Sequence, residues 1–256
     1  MKLVKKILIF CLFILSLSAH AEKITVAAAA DLKFAMDEIA ASYMKSNPAD
    51  QIEVVYGSSG TFHTQIQKGA PYDLYFSADI GFPRELVKLG FAASEVKPYA
   101  FGRIVLWSAS MDATIMTLAS LTDPKINHIA IANPVHAPYG RRAEEALRKL
   151  ELWEKVKPRL VYGDNIAQTA QFVMTGNADI GIIALSLALN TQLASKGGYW
   201  LIPENLHEPL EQGFIITKRA ENNPQAKRFA DYIDSKPVRA IMTKYGFVLP
   251  GEGISK

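Results

Sequence analysis

The chain has 256 residues, 49% of them hydrophobic and 21% charged, with 28 lysines and arginines against 25 acidic residues. A balance this even gives no basic surface for nucleic acid or membrane, and the hydrophobic share is enough to bury one or two cores. One cysteine excludes a disulfide framework.

Residues 1–21 read as a secretory signal peptide. Lys2, Lys5 and Lys6 precede an apolar stretch from Ile7 to about Leu17 and the small-residue site Ala19-His20-Ala21, with cleavage expected after Ala21. The stretch is shorter than the roughly 20 residues a spanning helix needs, with a retained anchor as the alternative. Cleavage removes three lysines and no acids, leaving 25 basic against 25 acidic residues. It also removes Cys11, so no disulfide, thiol ligand or thiol nucleophile remains.

Strand and helix patterns then alternate. Lys23–Ala29 predicts a strand, and Leu32, Met36, Ile39 and Tyr43 recur at helical spacing over Leu32–Met44. Strands at Gln51–Tyr56 and Leu74–Ala78 alternate with helices at Thr61–Lys68 and Phe82–Leu89. A second series has strands at Phe101–Ser108, Ile129–Ala132, Leu160–Tyr162 and Ile180–Ile183, with helices at Arg141–Leu150, Ala167–Thr175 and Leu185–Lys196. Gly213–Thr217 adds a strand, and Pro224–Ser235 and Val238–Tyr245 add helices. This order predicts an α/β chain with largely parallel sheets in two lobes, residues 22–100 with 210–256 and residues 101–209. Crossings are expected near Tyr99–Arg103 and His207–Gln212, and one continuous doubly wound sheet is the alternative.

Ligands of open α/β sheets bind beyond the carboxyl ends of the strands. The loops there are Ala27–Asp31, Gly57–Thr61, Asn133–Gly140 and Tyr162–Ile166, each small or polar and each followed by a helix. Unpaired N–H groups at helix N-termini, aided by Ser and Thr hydroxyls, form an anion site without lysine or arginine. Such neutral donors hold a fully ionised oxyanion but accept no proton from a protonated one. Each loop alone also reads as a helix cap, and Asp31, Asp79 and Asp164 fit that reading.

Other chemistry finds little support. No Walker, GxGxxG or HExxH motif occurs, Gly57-Ser58-Ser59-Gly60 does not complete GxSxG, and His63, His128, His136 and His207 lack paired metal-ligand spacing. Asp73 and Asp79 flank one strand, where a hydrolase uses two acids, but a structural role fits them better. Arg141-Arg142 either steers an anion or forms a solvated helix face. Tyr72, Tyr75, Phe76 and Tyr99 fit core and cleft wall, without the basic interleaving of a nucleic-acid channel.

The stretches ITVAAAADLKFAMDEIA, VVYGSSGTFHTQIQKGAPYDLYFSAD, IAIANPVHAPYGRRAEEAL and KYGF together resemble the periplasmic molybdate-binding protein family (ModA) of ABC importers. The resemblance runs over essentially the whole chain after the signal, with GAPYDLYFSAD as its most specific piece. It implies a two-lobed periplasmic binding protein fold of type II that closes on molybdate or tungstate in the interlobe cleft. It further implies delivery of the anion to an ABC permease, a monomer, no cofactor and no catalysis. Carried over by position, the family's anion contacts fall on Asp31, Ser59, Tyr139, Ile166 and Ala184. Asp31 stands where a serine is usual, and Ala184 where some members have a tyrosine whose phenol Tyr139 is expected to replace. The Asp31 backbone is expected to face the anion while its side chain turns back as a cap; a carboxylate accepting the proton of hydrogen phosphate is the competing reading. Another oxyanion or small organic acid, or a phosphoryl- or acyl-transfer enzyme, remains the alternative function.

Overall fold

The computed structural model describes residues 23–252, so the expected signal peptide lies outside the described residues. Ten strands occur among them: β1 (Lys23–Ala29), β2 (Gln51–Gly57), β3 (Leu74–Ser77), β4 (Lys97–Gly102), β5 (Ile104–Trp107), β6 (Ile129–Ala132), β7 (Leu160–Gly163), β8 (Ile180–Ala184), β9 (Tyr199–Leu201) and β10 (Leu210–Ile216). They form two five-stranded sheets, ordered β2-β1-β3-β10-β4 and β7-β6-β8-β5-β9. In the first, β1 runs parallel to β2 and β3, and β10 is antiparallel to β3 and β4. In the second, β6 runs parallel to β7 and β8, and β5 is antiparallel to β8 and β9.

The helices are α1 (Lys33–Ser46), α2 (Ser59–Gln67), α3 (Gly81–Lys88), α4 (Pro138–Lys149), α5 (Trp153–Val156), α6 (Ile166–Met174), α7 (Leu185–Ala188), α8 (Thr191–Ala194), α9 (Pro224–Tyr232) and α10 (Lys236–Lys244). Helices cover both faces of the first sheet, which is why β1 is apolar on both sides. Val26 and Ala28 join one core with Leu32, Met36, Phe214 and Phe229, while Ala27 joins another with Phe62, Tyr75 and Leu86. The second sheet has its own core around Trp107, Ile131, Leu147 and Ile182.

Four expectations need correction. The sheets are not largely parallel, since two of the four pairings in each are antiparallel. Phe101–Ser108 is two strands in different sheets, divided at Arg103, so it is the first crossing between lobes. Gly102 ends β4 where a Cβ would overlap the Tyr139 hydroxyl and lie 2.7 Å from Gln212 Nε2, so only glycine lets these groups approach the crossing. Leu185–Lys196 is two short helices, because the Asn190 side chain accepts the Gln192 N–H (2.9 Å) and restarts the chain as α8. Finally, β9 and α5 had no counterpart in the sequence pattern, and β10 begins at Leu210, three residues before the expected strand.

Candidate interlobe anion site

Four chain segments turn into helix where the two sheets face each other. From the first lobe come the single 3-10 turn Ala30–Leu32, which leads into α1, and the first turn of α2 at Ser59. From the second come α4, with Pro138 in its first turn, and α6 at Ile166. Proline suits the start of α4 because the N–H it lacks would have no helical partner there. Their first residues line one small cavity of about 10 Å³, together with Ala29, Gly57, Ser58, Ala78 and Ala137. No lysine or arginine lines it. Converging N-terminal turns carry partial positive charge, so the cavity favours an anion while its own walls supply no full positive charge.

Of the five residues expected at the site, Asp31, Ser59, Tyr139 and Ile166 line this cavity and Ala184 does not. Ala184 ends β8, fully buried, immediately before α7. Its near neighbour Ser186, also outside the cavity lining, donates its hydroxyl to the Asp31 carbonyl (2.7 Å).

Ser59 is 1% exposed, and its Oγ accepts the Ala78 N–H (3.0 Å). A hydroxyl has one donor and two acceptor positions, so this bond leaves the Ser59 proton free to donate. Tyr75, whose phenol donates to the Ser59 carbonyl (2.8 Å), holds the turn from below.

Asp31 is also 1% exposed, and it is not a cap: neither the 3-10 turn nor α1 has a side-chain cap bond. Its Oδ2 accepts the Tyr139 hydroxyl (2.9 Å) and the Gln212 side-chain amide (2.8 Å), and the same amide lies 3.2 Å from the Tyr139 oxygen. The Tyr139 phenol, expected to reach the anion, is thus directed at Asp31. Burial pushes the Asp31 carboxyl up to about 6, while the bonds from Gln212 and Tyr139 pull the other way. Burial, with Asp31 beside it, also raises Tyr139 well above the usual tyrosine value, so the phenol keeps its proton.

The α6 cap is Asn165, whose Oδ1 accepts the Ala167 and Gln168 N–H groups (both 3.0 Å); the expected cap, Asp164, takes no such part. Asp79 does cap locally, accepting the Gly81 N–H (2.8 Å), and also pairs with Arg141 across the cleft (2.7 Å). Arg141 is therefore a strut between lobes and more than a solvated face. A second strut lies beside it, where the His136 carbonyl accepts the Gly60 N–H (3.0 Å) and the Ser58 hydroxyl. A Cβ on Gly60 would lie 2.7 Å from that carbonyl oxygen, so the close approach requires glycine.

The sequence reading missed Gln212, Ser186 and the Ser58–His136 contact. Only Gln212 left a signal, as a polar residue inside the apolar strand LEQGFII.

Two sheet-based lobes meeting over a small anion cavity, joined by direct polar contacts, define a solute-binding protein of the periplasmic type. The family model described as bacterial extracellular solute-binding protein matches residues 24–248. The molybdate-binding protein ModA of Azotobacter vinelandii is 36% identical over 237 residues, 92% of this chain and 94% of that protein. ModA of Rhodobacter capsulatus is 34% identical over 91% of each chain. The solved periplasmic molybdate-binding protein of A. vinelandii superposes with a TM-score of 0.84 at 32% identity, covering 89% of this chain and 99% of that one. The sulfate-binding protein SubI of Mycobacterium tuberculosis shares the fold (TM-score 0.75) at 15% identity, over 90% of this chain and 87% of that one. The chain belongs to the bacterial extracellular solute-binding proteins and, within them, to the ModA family of molybdate-binding proteins.

Proposed function

We propose that this protein captures molybdate, and tungstate with it, between its lobes in the periplasm and delivers the anion as a monomer to an ABC permease, without catalysis. The lobes are residues 22–100 with 210–256 and residues 101–209. The observation that carries this reading is the convergence of helix-initiating turns from both lobes on one cavity that no lysine or arginine lines. Ser59 gives a hydroxyl donor, Ile166 and Tyr139 contribute through the first turns of α6 and α4, and Asp31 faces the anion from the 3-10 turn. Ala184 backs this wall from the end of β8.

Selectivity follows from cavity size and donor number, since molybdate and tungstate are nearly equal in size and both exceed sulfate. Closure is the energetic switch. An anion that touches both lobes stabilises the joined form, and the permease reads that form. Calorimetric titration of dialysed protein with molybdate, tungstate, sulfate and phosphate in parallel tests the reading. Tight binding of the first two, with sulfate and phosphate far weaker, is expected; preference for phosphate, or turnover of a model phosphate ester, overturns it.

A further inference from the structure

The Asp31 carboxyl is asymmetric. Oδ2 holds two donors, whereas Oδ1 is buried without a hydrogen-bond partner among the described residues. The residue lines the anion cavity together with Ser59. The groups that face it from neighbouring elements are Tyr139 of α4, Gln212 of β10, Tyr99 of β4 and Ser186 of α7, and none is a cation. Charged and titratable groups nearby are engaged elsewhere. Lys33, two residues on, lies 3.5 Å from Asp37 and above the Tyr56 ring; Arg141 pairs with Asp79; His136 bonds Ser58.

An ionised Asp31 would set a third negative charge against a bound dianion, with no cation to offset it and an unsatisfied oxygen besides. A neutral Asp31 removes the repulsion and turns Oδ1 from an orphaned acceptor into an O–H donor. We propose that Asp31 enters the anion complex as the neutral acid, its Oδ1 hydroxyl donating to the oxyanion, so that each anion captured draws one proton from solvent into the cleft. The proposal rests on the reading of this cavity as a molybdate site. The donor at this position exists only when a proton is bound. Burial has already lifted Asp31 to about 6, so a dianion has only to continue that shift.

Molybdate remains a dianion through the neutral range, so proton uptake on binding reports the protein. Calorimetry of wild type and Asp31→Asn with sodium molybdate, in two buffers of different ionisation enthalpy at about pH 8, measures the protons exchanged. Wild type is expected to take up nearly one proton per anion and to weaken about tenfold per pH unit between about pH 7 and pH 8. Asp31→Asn, whose amide donates at all pH values, is expected to exchange none and to bind with a flat pH profile. Wild type that binds molybdate with a flat profile and no proton exchange overturns the proposal while leaving the molybdate reading intact. Tighter wild-type binding of inorganic phosphate, lost in Asp31→Asn, overturns it in favour of an ionised acceptor. Wild type that binds molybdate at no pH sinks both readings. The wild-type proton count stands even if the variant fails to fold.

Discussion

Asp79 and Asp31 both belong to the first lobe and both reach the second, yet they join it by opposite physics. Asp79 meets Arg141 at 2.7 Å with side chains 22% and 38% exposed, so water screens the pair and it contributes about 1 kcal/mol or less. Asp31 is sealed from water, and its side-chain partners are the neutral donors of Tyr139 and Gln212. At the rim a charge costs little and gains little. In the interior, the same carboxylate is expensive unless it carries a proton. The rim pair therefore ties the lobes together, and on the proposed reading the interior is where ligand and pH act.

The largest expected consequence is on stability. Because the folded value of Asp31 lies near 6, above the 3.8 of an ordinary carboxyl, its acid form is favoured by folding. That contribution is fully present below about pH 4 and is lost as pH rises through about 6. Two pKa units correspond to roughly 3 kcal/mol. Ligand-free Asp31→Asn should therefore be more stable than wild type by up to roughly 3 kcal/mol at pH 8, with the difference vanishing near pH 4, as followed by urea unfolding across pH. An equal difference at both pH values would mean that folding does not raise the Asp31 carboxyl and would break the contrast with Asp79.

Ser59→Ala comes next. It removes the one hydroxyl free to donate into the cavity, a charge-assisted bond worth roughly 1.5–3 kcal/mol, so molybdate affinity should fall about ten- to hundredfold in calorimetry. Tyr139→Phe removes one of two donors from Asp31 Oδ2. The carboxyl should rise further, and stability should drop by about 1 kcal/mol above pH 6 and by less in acid, in the same unfolding series. Arg141→Ala sharpens the comparison from the other side. Its stability change should stay within about 1 kcal/mol, while small-angle scattering of the ligand-free protein shifts toward an open form.

Much of this was legible locally. Alternation of Val26, Ala27 and Ala28 between two cores, and the small residues before α2 and α6, encode strand, turn and helix within a few residues. What was not legible is long-range. Gln212 reaches Asp31 across 181 positions and Ser186 across 155, and no local period records such partners. Local competition misled as well: Asp164 and Asn165 are adjacent cap candidates, and only backbone geometry selects Asn165. The run Phe101–Ser108 is apolar enough for one strand, and the division at Arg103 reflects which sheet each half can pair with. Four of the residues that the resemblance implies line the cavity, but no local pattern records that Tyr139 is directed at Asp31, 108 positions away.

The most direct test is a crystal grown with tungstate, whose heavy atom is located by anomalous scattering. The account predicts one strong peak between the lobes, within hydrogen-bond reach of the Ser59 hydroxyl and the first turns of α2, α4 and α6. A peak held by exterior lysines or arginines, with nothing bound between Ser59 and Tyr139, would contradict it.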